Sequence, residues 1–440
     1  MKNPTARELA AEILVSVEKN GAYSSLALND ALKNVELKEA RDKNLVSSLV
    51  DAVIEHRLTI DLCLSSFLKQ PLKKLHPMVL ALLRLGAVQI LYFDKIPVSA
   101  AVNESVNIAK KKHLGYAAGM INAVLRRVAK DGLTLPDGNG VDALSVRYSY
   151  PKELCSLFAE QFGNDEAERI FKTYEGRRPI FIRVNTLKTD EDTLIKTLEE
   201  SNITVGRTTL ANCLQIKNFG DMTLIDAFKN GYFYVQDMSS QTCAAVLGAE
   251  PGDYVIDCCA APGGKSFTTA MYMNNTGKIV SGDIHEHKAE LIKKTAERLG
   301  INCIETYVGD AAKMPDEFKS ADKILCDVPC SGFGVIGRKP EIKYKDLSEV
   351  AALPEIQYAI LSHCSSLLKK GGRLVYSTCT LNRAENREVC ERFLSEHNDF
   401  SVSTHGTYKN LCGENEFAEI LPTENGGDGF FIASFERTSE

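Results

Sequence analysis

Tyr254-Val255-Ile256-Asp257-Cys258-Cys259-Ala260-Ala261-Pro262-Gly263-Gly264-Lys265-Ser266 decides the fold. Its apolar head reads as a buried strand ending at Asp257. Small residues and a glycine pair follow, which let a backbone approach a ligand closely. The helix expected after them would offer its positive N-terminus to an anion. Three readings of this loop compete. A P-loop needs a glycine five residues before Gly264-Lys265-Ser266, and Cys259 stands there. The Gly-x-Gly-x-x-Gly dinucleotide fingerprint is absent. The third reading is a ligand with a nucleoside and a carboxylate, such as S-adenosylmethionine.

Downstream, strand-like and helical runs alternate. Strands are expected at Lys278-Ile279-Val280-Ser281, Cys303 to Tyr307, Lys323 to Cys326, Arg373 to Tyr376 and Phe430 to Phe435. Helices are expected at Lys288 to Leu299 and Glu355 to Leu368. This is the pattern of a doubly wound, mostly parallel sheet, which binds ligands at strand ends. Asp283 ends the second strand, 19 residues after Gly264, where a carboxylate can take both ribose hydroxyls. Asp310 follows the third strand and is placed to meet the adenine edge. Either aspartate alone is also a common turn former or helix cap. Cys330, in Asp327-Val328-Pro329-Cys330, and Cys379, in Ser377-Thr378-Cys379-Thr380, each follow a strand. Two thiols at one sheet edge suggest covalent chemistry, and two small core residues are the alternative.

The 440 residues suggest two to four domains. A hydrophobic content of 44% with 25% charged residues points to a globular protein. The polar start Met1 to Glu8 reads as no export signal, and Met78 to Phe93 is too short and too interrupted to span a membrane. Thirteen cysteines, an odd number, then point to reduced thiols and a cytoplasmic location. Cys326-x3-Cys330 lacks a second ligand pair at zinc spacing, and the eight histidines show no metal-ligand cluster. His285 and His287 read as solvated helix-start residues. No metal is expected.

Residues 51–135 carry twelve Lys/Arg against six Asp/Glu, whereas the whole chain is −6. A basic module on an acidic body hints at nucleic acid, with a solvated helix surface as the rival reading. Residues 5–130 read as helix. Ala10, Ile13, Leu14 and Val17 share a face, as do Leu45, Leu49, Val53 and Ile54, and Val79, Leu82, Leu83 and Leu85. A helix capped by Ser99 is expected to end in Lys110-Lys111-Lys112. Another runs from about Ala117 to Val128. After the turn-rich Pro136 to Gly140, two helices ending near Gly163 and Tyr174 are expected. Strands at Pro179 to Val184 and Cys213 to Ile216 flank a helix at Asp190 to Glu200, a small α+β subdomain. Domain limits of 1–135, 136–232 and 233–440 follow.

Asp257 to Lys265, Asp327-Val328-Pro329-Cys330-Ser331-Gly332 and Tyr376-Ser377-Thr378-Cys379-Thr380-Leu381-Asn382 resemble the RNA cytosine-5 methyltransferases of the NOL1/NOP2/Sun family. Arg183 to Thr186, Gln236 to Ser240 and Asp428 to Ala433 look like family segments too. The likeness runs from about Tyr150 to the C-terminus. Cys258 departs from it, standing where Leu or Met is expected. Gly119 to Arg127 resembles the NusB-like RNA-binding domain, and the combination is similar to the Sun/Fmu branch of the family.

The resemblance implies a multidomain fold: an all-α NusB-like bundle, a small α+β subdomain, and an α/β Rossmann-like methyltransferase domain. It implies S-adenosylmethionine as cofactor, held by Cys259, Ala260, Ala261, Pro262, Gly263, Gly264, Lys265, Asp283, Asp310 and Asp327. It implies 16S rRNA as substrate, naked or in a partly assembled small subunit, and a monomer with neither membrane nor metal. In the RNA enzymes the Thr-Cys thiol attacks carbon 6 of cytosine and the Pro-Cys thiol assists release. Cys379 is then the nucleophile and Cys330 the release residue. Asp327 would meet the cytosine edge near N3, and Lys265 would order the loop or pair with Asp327. The base must be unpaired or flipped out. A tRNA substrate is the rival within this class. A non-catalytic RNA-binding assembly factor is the rival outside it, and the intact cysteine pair argues against that.

Overall fold

The computed structural model describes residues 4–20, 28, 30–33, 35, 40–176, 178–423 and 426–438. The rest of the helical span expected over 5–130, including 21–27 and 36–39, lies outside the described residues. The chain divides into two compact units, Met1–Glu175 with Arg338–Lys345, and Gly176–Gly337 with Asp346–Glu440.

The first unit is helical. Its helices Ala6–Asn20, Ala40–Glu55, Arg57–Ser65, Pro77–Tyr92, Val98–Lys111 and Ala118–Asp131 share one apolar core. Pro77–Tyr92 is buried almost all round, as expected of a helix apolar on every face. Its two polar interruptions are satisfied in place. The Arg84 guanidinium donates to Asp61 at 2.8 Å through both Nε and Nη2, and to Glu18 at 3.0 Å. The Gln89 amide donates to the Leu85 carbonyl and accepts from Arg7, both at 2.6 Å. Gly86 allows close packing here, because a Cβ would lie 2.3 Å from the Leu125 side chain and force it to shift.

Ser99 does not cap its helix. Pro97 is the N-cap, and its carbonyl already accepts from Ala100 and Ala101, so Ser99 falls inside the first turn. The basic end of that helix is partly neutralised internally. Lys111 reaches Glu8 at 2.6 Å, and Lys112 pairs with Glu8 and Glu12. Lys69, Lys73, Lys74, Lys110 and Lys130 remain exposed.

Helices Val141–Tyr148, Lys152–Phe162 and Asn164–Thr173 belong to the same unit. So does Arg338–Lys345, contributed from far along the chain. The buried Lys343 ammonium donates to the carbonyls of Glu55 and Tyr148 at 3.0 and 3.2 Å. Burial pulls it down to about 8.

The second unit carries two sheets. In the smaller, β1 (Ile180–Val184), β2 (Thr204–Arg207), β3 (Cys213–Lys217) and β4 (Phe233–Val235) run antiparallel in the order β2-β3-β1-β4. Helix Glu191–Glu200 packs its Leu194 and Leu198 into the same core. Asp190 caps it, accepting from Thr193 at 2.9 Å.

The larger sheet has eight strands among the described residues: β5 (Tyr254–Asp257), β6 (Lys278–Asp283), β7 (Ile304–Val308), β8 (Ala321–Asp327), β9 (Leu368–Thr378), β10 (Phe400–Val402), β11 (Ala418–Ile420) and β12 (Phe430–Arg437). Its order is β10-β12-β9-β8-β5-β6-β7, with β11 on β12. Strands β5 to β9 are parallel, and β12 returns antiparallel beside β9. Strand residues alternate between two apolar layers. Val255, Ile279, Leu325 and Val375 face one, and Ile256, Val280, Ile324 and Leu374 the other. That two-sided burial explains the unbroken apolar runs. The chain goes from β5 to β6 on one side and later to β8 on the other. The end of β5 is therefore the switch point where such sheets bind ligands. No helix among the described residues is long and apolar enough to cross a membrane.

Candidate functional site

Four strand ends converge where the sequence motifs lie. β5 ends at Asp257, β6 at Asp283, β8 at Asp327 and β9 at Thr378. The loop after β5 leads directly into helix Gly264–Tyr272. Gly263 takes φ +102°, and a Cβ there would meet the Phe267 ring at 2.4 Å, so the turn needs glycine. Tyr234 and Gln236 hold the first turns of this helix from behind, through Thr268. The Tyr234 and Thr268 hydroxyls lie 2.6 Å apart, and Thr268 donates to Gln236 at 2.7 Å.

Asp257 is fully buried. Its Oδ2 accepts from Ser266 at 2.6 Å, while no hydrogen bond reaches its Oδ1 among the described residues. Burial pushes its carboxyl up to about 7. Between the ordinary carboxylate value and pH 7 the folded chain therefore keeps a proton that the unfolded chain loses. Stability must fall as pH rises through that window. For Asp257→Asn, which mimics the neutral acid, stability relative to the parent is expected to rise by about 2 kcal/mol or more between pH 5 and pH 8. Denaturant titrations at both pH values check this, and parallel pH profiles would refute it.

Lys265 points from the same helix to the end of β8. Its Nζ lies 2.7 Å from Asp327 Oδ2, so of the two roles considered for Lys265, the pairing is present. Burial disfavours the ammonium, but the Asp327 carboxylate outweighs it and holds Lys265 above the ordinary lysine value. The other Asp327 oxygen accepts from Ser377 on β9 at 2.8 Å.

The thiols of Cys330 and Cys379 are in contact, with Sγ atoms 3.3 Å apart. Both are partly exposed, unlike most of the thirteen free cysteines. Cys330 keeps its proton, pushed well above the ordinary thiol value first by the hydrogen bond with Cys379 and then by burial. The two loops are tied together. Val328 donates its N–H to Ser377 at 3.2 Å and Gly334 to the Cys379 carbonyl at 2.9 Å. The Ser331 and Thr380 hydroxyls meet at 2.6 Å. A side chain at Gly334 would strike the Gly429 carbonyl at 2.0 Å, which fixes this close approach.

Sequence reasoning missed the residue behind the pair. Glu385 is fully buried, and its carboxylate accepts from the Ser331 N–H at 2.8 Å, from Gln357 at 3.0 Å and from Asn382 at 3.0 Å. One carboxylate thus clamps the loop of Cys330 to the turn of Cys379. In sequence it is one acid among many. The only signal was its place seven residues after Thr378, in the turn that must fold back under Cys379. Glu385→Ala would remove the charged acceptor of three buried hydrogen bonds, at about 1–3 kcal/mol each. A loss of about 3 kcal/mol or more in denaturant-derived stability is expected, and a loss under 1 kcal/mol would show the clamp to be slack.

The residues expected from sequence to hold the cofactor, Asp327 aside, fall into two groups. Cys259 to Lys265 form one continuous loop and helix start. Asp283 and Asp310 stand at the ends of β6 and β7. Asp283 Oδ1 accepts from the His285 N–H at 2.9 Å, and Lys288 lies 3.5 Å from Oδ2. Asp310 Oδ1 accepts from the Ala312 N–H at 3.0 Å. Each aspartate is thus a turn or helix cap that still has acceptor capacity. S-adenosylmethionine fits this donor set, with backbone amides of the loop for its carboxylate and Asp283 for its ribose. Gly282 keeps the floor low, since a Cβ there would press on the Cys258 carbonyl at 3.1 Å.

Residues 244–436 match the family of 16S rRNA methyltransferases RsmB/F, residues 4–130 the NusB family, and residues 150–223 the Methyltr_RsmF/B-like ferredoxin-like domain. The chain is 38% identical to the probable ribosomal RNA small subunit methyltransferase B of Bacillus subtilis (strain 168), over 99% of this chain and 100% of that one. It is 33% identical to the protein of the same description from Synechocystis sp., over 98% and 99%. Among solved structures, PH0851 superposes with a TM-score of 0.82 at 26% identity, covering 99% of this chain and all of that one. NSun6 from Pyrococcus horikoshii, solved with SFG, superposes with a TM-score of 0.60 at 25% identity, covering 66% of this chain and 98% of that one. The helical front, the ferredoxin-like sheet and the methyltransferase sheet are accounted for together, and the chain belongs to the ribosomal RNA small subunit methyltransferase B family.

Proposed function

We propose that this chain methylates carbon 5 of a cytosine in small-subunit 16S rRNA, through a covalent adduct between Cys379 and carbon 6. The family is one of S-adenosylmethionine-dependent methyltransferases, and that cofactor supplies an electrophilic methyl group when bound. We place its binding on Cys259 to Lys265, Asp283, Asp310 and Asp327.

The observation that carries the reading is the Cys330–Cys379 contact at 3.3 Å. Carbon 5 of cytosine is a poor nucleophile until a thiolate adds at carbon 6. An ordinary thiol is mostly protonated at neutral pH. Cys330 is pushed well above the ordinary thiol value and stays a thiol, which argues against it as the attacking atom and leaves that role to the Cys379 sulfur. After methylation the carbon 5 proton must leave and the C6–S bond must break. Cys330, in contact with the departing sulfur, gives that sulfur its proton, and the thiolate so formed on Cys330 takes the carbon 5 proton. Asp327 carries one oxygen pinned by Lys265 and one by Ser377, so its orientation toward the cytosine edge is set before the base arrives. Lys265 acts through Asp327. The target base is unpaired or flipped out.

Residues 1–135 and the subdomain within 136–232 serve to hold RNA in this reading, and 233–440 does the chemistry. Full-length protein incubated with cofactor and unmodified 16S rRNA should yield 5-methylcytosine at one position, mapped by bisulfite sequencing. Methyl transfer to tRNA alone, to another atom of cytosine, or to no RNA would overturn the proposal. Asp283→Ala should weaken cofactor binding by tenfold or more, as calorimetry would measure. An unchanged dissociation constant would remove Asp283 from the ribose site.

A further inference from the structure

Three cysteines 68 and 38 positions apart in sequence meet inside the second unit. Cys258 follows β5, Cys326 lies near the end of β8, and Cys364 is on helix Leu353–Ser365. Their Sγ atoms all lie within 4.8 Å of one another. Exposure is 0% for Cys326 and Cys364 and 2% for Cys258. The trio sits in the apolar layer that also holds Ile256, Val280 and Ile324. All three are free thiols.

Zinc–sulfur bonds of about 2.3 Å put sulfurs on one ion roughly 4 Å apart, so small rotations of these side chains would close the site. Thiolates select soft ions. Charge narrows the choice, because three thiolates leave −1 around a divalent ion and −2 around a monovalent one, and apolar surroundings penalise the larger charge. Two further donors flank the trio. Cys259 Sγ is 3.9 Å from Cys258 Sγ, and the Ala311 carbonyl is 3.5 Å from Cys364 Sγ.

We propose that Cys258, Cys326 and Cys364 form a three-thiolate site for a soft divalent cation of the zinc class. Binding exchanges three S–H protons for three metal–sulfur bonds: one divalent ion and three thiols give a tris-thiolate of charge −1 and three protons, with no change of oxidation state. The bound ion ties the end of β5, where the glycine loop starts, to the end of β8, where the Pro329-Cys330 loop starts, and to the helix behind them. It braces the scaffold of the site without touching substrate. Linear spacing hid this cluster, which only the fold assembles.

Cadmium is the probe. Reduced full-length protein is titrated with Cd2+ while the near-ultraviolet thiolate-to-cadmium band is followed, with stoichiometry from equilibrium dialysis. One Cd2+ per chain is expected, retained in Cys330→Ser/Cys379→Ser and lost in both Cys258→Ala and Cys364→Ser. Zn2+ should displace it and raise the melting temperature of the double variant. Two independent single variants keep the test decisive if one folds poorly. Absence of stoichiometric binding, its loss in the double variant, or its survival in either folded single variant overturns the site.

Discussion

A Cys379→Ala enzyme is expected to lose methylation by on the order of 10^4-fold or more, the scale of removing a covalent nucleophile. Its cofactor affinity should not change. Cys379 stands at the end of β9, outside the loop Cys259 to Lys265, and its backbone carbonyl accepts from Gly334 whatever the side chain. The substitution removes one partly exposed sulfur and leaves the clamp of Glu385, Ser331 and Thr380 intact. Single-turnover methyl transfer measures the rate, and calorimetry measures the cofactor. Residual turnover within tenfold of the parent would move the attacking role away from Cys379. Simultaneous loss of cofactor binding would instead mean that the sheet edge had been disturbed.

Before any coordinates, the division of roles between the two thiols rests on the resemblance alone, but the gathering of the site residues at one sheet edge is legible in the sequence itself. Parallel strands buried on both faces must be apolar throughout, so β5, β6, β8 and β9 announce themselves as runs such as Tyr254-Val255-Ile256 and Leu374-Val375-Tyr376. Whatever polar residues follow such runs lie at one edge of one sheet. Asp257, Asp283, Asp327 and Cys379 are all of this kind. Their lateral order is not written in the sequence, because it depends on which strands pair. The 2.7 Å contact of Lys265 with Asp327 could therefore be named only as an option.

The elements that were missed share a different cause. β10 and β11 have three residues each, too few to show a period, and exist because β12 offers them an edge. β2 is an edge strand whose residues are exposed or half-buried, so Thr204-Val205-Gly206-Arg207 carries no alternation. Helix Val141–Tyr148 is hidden by the turn formers Pro136 to Gly140 before it, although Ala143, Leu144 and Tyr148 are buried. Glu385 was missed because its meaning is three-dimensional, since a buried acid among three neutral donors looks like any other acid in a sequence. The spacing of Cys258, Cys326 and Cys364 carries no signal in sequence for the same reason.

Cys330→Ala tests the other half of the pair, and the expected result is not simple inactivation. The sulfur of Cys379 would remain, so addition to carbon 6 and the first methyl transfer should still occur. The step that should fail is release. Cys330 keeps its own proton and lies 3.3 Å from the sulfur that must depart. Removing a group placed for proton transfer lowers a rate by roughly 10^2- to 10^4-fold. Steady-state turnover should drop by that amount while a protein–RNA species that resists denaturing electrophoresis accumulates to about one per chain. A purely structural role for Cys330 would reduce the first turnover as much as later ones and would trap nothing. Normal turnover with no trapped species would leave the contact between the two sulfurs without a catalytic purpose. A trapped species that persists in Cys330→Ala and vanishes in Cys330→Ala/Cys379→Ala would assign the covalent bond to Cys379, because no other change separates the two variants.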